Sequence, residues 1–281
     1  MNVYEIITNR ILEQLEKGVV PWQKPWKTTM PRNLVPGKPY RGINILLLAM
    51  QHLGSAYWAT FKQIKQAGGF VVKGSKSTPV VYWNMKEIED KETGEKKEVP
   101  FMRYYRVFNL DQTEGIEKPE EEQNDVAPLE ACESIVSGMP DKPEIFHNGM
   151  NKAYYSPVRD AIHLPLKSKF VSSEEYYSTL FHELVHSTGH SSRLNRKGIT
   201  ETANFGSEKY SKEELIAEIG SAFLCGQARI ENKTIDNSAA YVQSWLKELK
   251  NDKKLVVIAA AQAQKAVDCI YGSGEKEQVE A

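Results

Sequence analysis

The residues HELVH at positions 182–186 form the short pattern in this sequence that is most informative about chemistry. Two histidines four positions apart fall on one face of an α-helix, where both imidazoles can bind one metal ion. A glutamate directly after the first histidine is the general base of such motifs. The pattern therefore predicts that His182 and His186 are zinc ligands and that Glu183 is the catalytic base. The structural alternative is a helix with two incidental histidines.

The residues around this motif predict the helix that the site needs. Ser172 followed by Glu175 has the pattern of a capping box, and Gly189 is typical of the residue that ends a helix. Leu180 and Leu184 lie four positions apart, so the helix has an apolar side that can be buried. Local sequence thus predicts both the helix and its two ends.

A catalytic zinc site has three protein ligands and one position open for water, so a third ligand must come from elsewhere. We expect it on a helix that starts at Ser211, in the sequence SKEELIAEIGSAFL. Glu214 lies three residues after Ser211 and would form a capping box with it. Glu218 lies one turn further among apolar residues, where an unpaired carboxylate is costly unless it binds metal. Glu218 is therefore the predicted third ligand, with Glu214 and His190 as alternatives.

Two histidines and one glutamate on zinc predict the hydrolysis of a peptide bond. The zinc would acidify its bound water towards neutral pH, so that Glu183 could take the proton and pass it to the leaving amine. The reaction also needs a group that stabilises the oxyanion. Tyr155, His190 and Tyr210 are the candidates, and the sequence does not choose among them.

The second informative feature is the charge distribution in the first part of the chain. No acidic residue occurs between Glu16 and Glu87, although the net charge of the whole chain is only -1. A solvated surface ordinarily carries both signs, so this stretch predicts a surface for a polyanion, bound through phosphate contacts. Aromatic residues are interleaved, and exposed rings suit the stacked bases of single-stranded DNA. The predicted DNA-binding residues are Trp22, Lys24, Trp26, Lys27, Arg32, Lys38, Arg41, Lys62, Lys65, Lys73 and Lys76.

The aromatic residues of this stretch are not all expected at the surface. Trp58, Phe61 and Trp83 are expected in the hydrophobic core. Trp22 and Trp26 belong to the proline-rich loop PWQKPW and are compatible with either environment. The DNA-binding prediction therefore depends on where these rings lie.

Hydrophobic and turn patterns predict an α+β fold in two domains. Residues 1–112 would form an α+β DNA-binding domain that includes a hairpin with the charged tip EDKETGEKKE. Residues 113–135 are rich in acidic side chains and form a predicted linker. Residues 136–281 would be mainly helical, with a strand before the metal-binding helix. A fragment that ends near Glu114 is expected to bind single-stranded DNA by itself.

Composition excludes several other classes of protein. The chain has 281 residues, of which 41% are hydrophobic, and this is enough for packed cores. No apolar run approaches the roughly 18 residues that a membrane span needs, and the first residues lack the pattern of a secretory signal. Cys132, Cys225 and Cys269 are too few and too scattered for a disulfide framework. We therefore expect a cytoplasmic protein with no membrane partner.

The stretches PWQKPW, YRGIN, FNLDQTEGI, HELVHSTGHSSRL and EELIAEIGSAFL together resemble the ArdC family of antirestriction proteins. The resemblance covers nearly the whole chain. It implies an N-terminal single-stranded DNA-binding domain, akin to one in some plasmid primases, and a zincin-like metallopeptidase domain. It also implies carriage on plasmids, conjugative elements or phages and protection of incoming DNA from host restriction. His182, Glu183 and His186 match the family pattern directly, and Glu218 is taken as the later acidic ligand.

Three hypotheses for the function are compatible with these patterns. A zinc metallopeptidase that binds single-stranded DNA and acts on an unidentified protein substrate accounts for both the metal motif and the basic stretch. A non-catalytic DNA-coating protein with a structural or vestigial zinc site is the alternative, although a structural zinc would not require Glu183. A nuclease would need carboxylate-rich metal sites, which we do not find in the sequence. The metallopeptidase is the preferred hypothesis.

Overall fold

The structure is a computed structural model that describes residues 2–22, 30–89, 96–119, 128–201, 208–230 and 239–273. Its helices are α1 (Val3–Glu16), α2 (Ile43–Ala49), α3 (Phe61–Gln66), α4 (Pro128–Gly138), α5 (Ser173–Ser187), α6 (Lys197–Thr200), α7 (Glu208–Ala228), α8 (Ala239–Asn251) and α9 (Leu255–Ile270). Its strands are β1 (Arg32–Asn33), β2 (Tyr57–Thr60), β3 (Phe70–Val71), β4 (Thr78–Glu89), β5 (Lys96–Asn109), β6 (Thr113–Glu114), β7 (Glu144–Asn148), β8 (Tyr154–Ser156) and β9 (Ala161–Pro165). The predicted α+β class is confirmed. None of the described helices is long and apolar enough to cross a membrane.

The strands form three small sheets. In the first half of the chain, the order is β1-β2-β5-β4, and β3 pairs separately with β6. The long antiparallel hairpin of β4 and β5 dominates the first sheet. In the second half, β9 lies between β7, which is parallel to it, and β8, which is antiparallel. Ile162 of β9 is opposite Tyr155 of β8, and both side chains are buried, so this sheet packs one face on the core.

Side-chain caps define where several helices begin. The Asn2 side chain accepts a hydrogen bond from the backbone of Glu5 at 2.9 Å, and the Glu5 carboxylate accepts one from the backbone of Asn2 at 2.8 Å. This is a complete capping box for α1. Thr60 and Gln63 form the same motif at the start of α3. These caps satisfy amides that the helix itself leaves without acceptors.

One hydrophobic core joins the two halves of the chain. Ile7 and Ile11 of α1 and Leu46 of α2 belong to the same buried cluster as Phe223 of α7 and Val267 of α9. Polar contacts cross the same boundary. Thr8 Oγ1 donates to the carbonyl of Lys253 at 2.6 Å, and the amide of Gly42 donates to the side chain of Gln264 at 3.1 Å. Arg41 also forms an ion pair with Asp268. The N-terminal helices therefore complete the core of the C-terminal helices.

Trp22 is part of this shared core, which corrects its assignment to a DNA-binding surface. Its side chain is fully buried, and its ring meets that of Trp245 of α8 edge to face, with 5.2 Å between the centroids. A ring that is buried on all sides cannot stack on a base. A fragment that ends near Glu114 would lose Trp245 and expose the apolar face of α1, so the expectation that it binds DNA alone is not supported.

Other aromatic rings of the first half divide between core and surface. Trp58 is buried in a second, smaller cluster with Leu48, Val80 and Val107, as expected. Phe61 and Trp83 are 50% and 49% exposed, so their assignment to the core was wrong. Phe61 is the first residue of α3, and Trp83 lies on β4 just beyond the buried Val80 and Val81. Hydrophobic periodicity and composition did not show which of these rings would be covered by other helices and strands.

The segment predicted as a linker contains ordered elements. Thr113–Glu114 pairs as β6 with β3, and α4 begins at Pro128. Cys132 and Ile135 of α4 are buried in the main core. Residues 120–127, which hold four of the eight acidic side chains of this segment, lie outside the described residues. The domain bounds 1–112, 113–135 and 136–281 stay predictions.

Replacing Trp22 should destabilise the whole protein. We expect Trp22→Ala to lower the free energy of unfolding by about 3–5 kcal/mol, because it leaves a cavity against Trp245 at the boundary between the two halves. Urea unfolding followed by circular dichroism measures this change. Trp83→Ala is the matched control and should cost roughly 1 kcal/mol or less, since that ring is half exposed. Equal stability of Trp22→Ala and the parent would contradict the burial of this ring.

Candidate metal centre and basic surface

Helix α5 forms as the sequence predicts and presents the HELVH motif. The hydroxyl of Ser172 accepts a hydrogen bond from the backbone of Glu175 at 3.2 Å. The carboxylate of Glu175 in turn accepts from the backbone of Val171 at 2.6 Å. Leu180 and Leu184 are fully buried, which fixes the rotation of the helix about its axis. The two histidines of the motif consequently face carboxylates of α7.

The two histidines of the motif converge. Nε2 of His182 and Nε2 of His186 lie 3.1 Å apart, and both side chains are largely buried. One turn of helix separates the two residues, so their rings reach the same point from successive turns. This is the arrangement that the spacing predicted.

Glu214 of α7 is the carboxylate that faces both of these nitrogens. One of its oxygens lies 3.4 Å from Nε2 of His182, and the other lies 3.5 Å from Nε2 of His186. One atom from each of these three residues lies within 4.8 Å of the others, as binding to one ion requires. Glu218, the predicted third ligand, lies instead 3.5 Å from Nδ1 of His182, on the other side of the ring. Geometry favours Glu214 over Glu218 as the metal-facing carboxylate.

The preference for Glu218 rested on its burial, which the structure shows, and on a capping role for Glu214, which assumed a wrong start for the helix. Helix α7 begins at Glu208, so Ser211 lies within the first turn and is not the cap. The Ser211 hydroxyl is instead within hydrogen-bond distance of Ser244, at 3.3 Å. Glu214 consequently has no capping task and is available to the site.

Close packing of α5 on α7 sets the distance between the histidines and these carboxylates. A Cβ atom on Gly220 would lie 2.8 Å from Cγ2 of Val185, closer than real contacts allow. One residue later, the Ser221 hydroxyl donates to the carbonyl of Ser178 at 2.9 Å. A residue without a side chain is therefore needed at position 220 for the two helices to approach.

Glu183 is buried beside the two imidazoles. Burial raises the pKa of Glu183, and the neighbouring histidines lower it without offsetting the burial. The backbone amide of Tyr155 on β8 is near the Glu183 carboxylate and lowers the pKa of Glu183 by the smallest of the local effects. A carboxylate with a raised pKa is a stronger base, which suits the role that the motif predicts.

The charges around the two histidines fit a divalent cation. Four buried or largely buried carboxylates surround them: Glu183, Glu213, Glu214 and Glu218. Burial lowers the pKa of His182, but Glu214 and Glu218 more than offset this effect and raise it to about 10. Such an excess of acceptors is costly unless a positive charge compensates for it. Two imidazoles and a carboxylate are also the donor set of a catalytic zinc site.

The structure separates the three candidates for stabilising an oxyanion. The hydroxyl of Tyr155 donates to Asp160 at 2.7 Å and also contacts Arg193, so it is committed to that cluster. Nδ1 of His190 lies 2.8 Å from the hydroxyl of Ser192. The side chain of Tyr210 is outside the described part of the structure. His190 is not part of the cluster of His182, His186 and Glu214.

The predicted DNA-binding residues fall into three groups. Lys38, Lys62, Lys65, Lys73 and Lys76 are exposed, and Arg32 on β1 is partly exposed. Arg41 pairs with Asp268 at the boundary between the two halves, and Trp22 is buried. Lys24, Trp26 and Lys27 lie outside the described residues. The exposed lysines are the part of the prediction that remains compatible with a DNA surface.

The structure also exposes an aromatic and basic surface that the sequence prediction left out. On the β4–β5 hairpin, Tyr82 is opposite Arg103, and Val81 is opposite Tyr104. The ring of Tyr82 meets that of Tyr105 edge to face at 6.2 Å. The stretch MRYYRV of the return strand carries this signal, but it lies beyond the acid-free stretch that supplied the predicted residues. We call the following residues the hairpin surface: Tyr82, Trp83, Arg103, Tyr104, Tyr105 and Arg106.

The fold and the arrangement of His182, Glu183 and His186 define a zincin-like metallopeptidase domain. The sequence profile described as zincin-like metallopeptidase matches residues 137–262, and the profile described as the N-terminal domain of anti-restriction factor ArdC matches residues 1–108. The chain belongs to the ArdC antirestriction family. The resemblance drawn from the sequence motifs is thereby confirmed.

Individual relatives support this assignment over the whole chain. The crystal structure of the antirestriction protein ArdC from the R388 plasmid is 39% identical, with a TM-score of 0.79 over 99% of this chain and 100% of that one. Its Mn(II)-bound structure is 38% identical, with a TM-score of 0.78. A protein of Sinorhizobium fredii, y4eC, is 30% identical over 96% of this chain and 92% of its own length.

Two Escherichia coli proteins named DNA primase TraC are each 37% identical over 98% of this chain. The chain spans only 27% and 20% of their lengths, respectively. The similarity therefore identifies a shared region within these longer proteins and does not extend a primase activity to this chain.

The contact at Gly220 gives a direct test of how the metal centre is assembled. We expect Gly220→Ala to push α7 away from Val185, and to weaken zinc binding at least tenfold through the displaced Glu214. Zinc affinity is measured by competition with a chelator. Gly138→Ala is the matched control, because a Cβ atom there meets nothing within 4 Å. Parental zinc affinity in Gly220→Ala would show that the helix approach does not set the site.

Proposed function

We propose that this protein is an antirestriction protein of mobile DNA that binds single-stranded DNA and hydrolyses a protein substrate at a zinc site. The observation that carries the proposal is the convergence of His182, His186 and Glu214 beside the buried Glu183. A structural site would not need a base at that position. The exposed lysines and the hairpin surface support the DNA-binding part.

We propose that Nε2 of His182, Nε2 of His186 and the carboxylate of Glu214 hold the ion. The family implies a metal, and a related ArdC structure is described as Mn(II)-bound. Zinc is proposed because two imidazoles and one carboxylate are a common donor set of catalytic zinc. When bound, such an ion polarises the carbonyl of a substrate and lowers the pKa of water.

The protein's own groups then account for the proton transfers. Glu183 accepts the proton of the attacking water on its carboxylate and delivers it to the nitrogen of the leaving amine. Burial excludes competing water from the base, and it raises the pKa of Glu183, which strengthens proton uptake. The proposed reaction is the hydrolysis of a peptide bond.

Three glutamine variants test the assigned roles. Glu214→Gln should lose zinc, because a neutral amide is a poor ligand, whereas Glu183→Gln should keep zinc and lose peptide hydrolysis. Glu218→Gln should retain most of the zinc, since its carboxylate lies at the far nitrogen of His182. Zinc content is measured by inductively coupled plasma mass spectrometry and hydrolysis with casein.

Each result of this series has a distinct meaning. Loss of zinc in Glu218→Gln but not in Glu214→Gln would restore Glu218 as the third ligand. Parental hydrolysis by Glu183→Gln would contradict the mechanism. A parent that holds zinc but cleaves neither casein nor the proteins of a host extract would favour the alternative function, a non-catalytic protein that coats single-stranded DNA.

The DNA-binding part of the proposal rests on two neighbouring features of the first half. The hairpin surface carries rings and arginines on both faces, and no acidic residue lies among residues 78–83 or 102–107. Helix α3, which packs on β2 and β5, carries Lys62 and Lys65, and Lys65 lies over the ring of Phe61 at 5.3 Å. Stacking rings beside phosphate-binding cations are typical of proteins that bind single strands without sequence preference.

Ring and lysine variants of the full-length protein should affect DNA binding differently. We expect Trp83→Ala to weaken binding to an oligo-dT strand by about 1–3 kcal/mol, the range for loss of one stacked base, without changing the salt dependence. Replacing Lys62 and Lys65 by alanine should reduce the slope of log K against log salt by about 0.7 for each phosphate that is no longer neutralised. Fluorescence anisotropy at several salt concentrations measures both effects.

Phe146→Ala provides the control for this series, because Phe146 is similarly exposed but lies on β7 in the other half of the chain. Its DNA affinity should equal that of the parent. If Trp83→Ala and the lysine variant both bind DNA as the parent does, the hairpin surface and α3 are not the DNA-binding site.

A further inference from the structure

A buried ion pair lies behind His186, on the side of the ring away from the metal-facing nitrogen. The side chains of Glu213 and Arg196 are only 5% and 7% exposed. Nη2 of Arg196 donates to one carboxylate oxygen of Glu213 at 2.6 Å, and Nε lies 3.2 Å from both oxygens. The proposed hydrolysis assigns no role to this pair.

Arg196 also connects Glu213 to the last turn of the metal-binding helix. Its Nη1 donates to the hydroxyl of Thr188 at 2.6 Å, and its Nη2 donates to the carbonyl of Val185 at 2.7 Å. Both acceptors flank His186 in sequence. The guanidinium therefore holds the Glu213 carboxylate at a fixed place relative to that histidine.

Nδ1 of His186 is the atom that this carboxylate faces. It is buried, and among the described residues it has no formed hydrogen bond. Oε1 of Glu213 lies 3.5 Å from it, just beyond a normal hydrogen bond. An imidazole that gives the electron pair of Nε2 to a metal carries its proton on Nδ1, and that proton needs an acceptor. A small movement of the Glu213 carboxylate towards the ring would form this hydrogen bond.

Two glycines leave the space that the pair occupies. A Cβ atom on Gly198 would lie 2.8 Å from Oε2 of Glu213 and 2.9 Å from its Cβ. A Cβ atom on Gly189 would lie 3.1 Å from Nη2 of Arg196 and 2.5 Å from the side chain of Ile199. The chain around the pair is thus shaped to hold both charged groups against the end of α5.

We propose that Glu213, held by Arg196, is a positioning residue for His186. It accepts a hydrogen bond from Nδ1, which fixes the tautomer and the ring orientation so that Nε2 faces His182 and Glu214. The inference rests on the proposed function, because it requires a metal at the site. It deepens that proposal by giving a role to a buried ion pair outside the set of ligands.

The test uses full-length protein and compares metal binding, not hydrolysis. Glu213→Gln should weaken Zn(II) and Co(II) binding about 10–100-fold in competition with a chelator, as is usual when the partner of a metal-bound histidine is lost. It should also shift the visible absorption of the Co(II)-loaded protein, because the ligand field depends on the orientation of His186. A protein that is merely less stable would not show this shift.

Two further variants separate positioning from folding. Gly198→Ala keeps both charges but displaces the carboxylate, so it should also weaken metal binding and shift the Co(II) spectrum. The double variant with Glu213→Gln and Arg196→Met removes the unpaired buried charge and should recover stability in the absence of metal, without recovering metal affinity. Circular dichroism of each metal-free variant measures its stability.

Asp160→Asn is the matched control. Asp160 pairs with Arg193, whose Nε donates to the carbonyl of Ser187 on the same helix, but no contact joins this pair to either histidine ring. We expect parental metal affinity and an unchanged Co(II) spectrum.

Parental affinity and spectrum in both Glu213→Gln and the double variant would overturn the proposal. An equal loss of affinity in Asp160→Asn would also overturn it, since the effect would then come from general packing of α5. A parent protein that binds neither metal would instead refute the proposed function itself, and this inference with it.

Discussion

The close contact between α5 and α7 is the constraint on which the rest of the site depends. A single helix can supply two histidines and a base, but it cannot place a third ligand opposite them. Gly220 against Val185, together with the bond from Ser221 to Ser178, determines how near the two helices come and in which register. That register places the Glu214 carboxylate at Nε2 of both histidines. It places the carboxylates of Glu218 and Glu213 on the Nδ1 side of the two rings.

This packing concentrates negative charge in a buried space, which would ordinarily destabilise a fold. Arg196 compensates for Glu213, and a divalent cation would compensate for the carboxylates nearest the histidines. Folding and metal binding are therefore expected to be coupled, since an ion that binds only the native state stabilises it. The same arrangement explains why the pKa of His182 is raised to about 10 despite its burial, which by itself lowers the pKa.

The shared core links the metal centre to the basic half of the chain. Helix α1 packs on α8 and α9, and Trp22 packs on Trp245 of α8. Helix α9 in turn packs on α7, which carries Glu214. The regions that match the two domain profiles thus fold around common apolar residues. A change that destabilises one region consequently destabilises the other, so truncation is a poor way to assign their separate functions. Point variants of the intact chain separate them better.

The sequence by itself determined the α+β class, the family, the bounds of α5 and the convergence of His182 and His186. Each of these follows from local spacing or from motifs, and residues four apart on a helix meet wherever that helix lies. Only the tertiary structure showed that Glu214, not Glu218, faces the two histidines together. It alone also showed that Trp22 is buried and that Trp83 is exposed. Glu214 and Glu218 are one turn apart on the same helix, so their local patterns are nearly the same. Which of them reaches the histidines depends on how far α7 slides along α5. Likewise, burial of a tryptophan depends on which distant helix covers it. Neither the position of α7 along α5 nor the covering of a tryptophan is encoded in local periodicity.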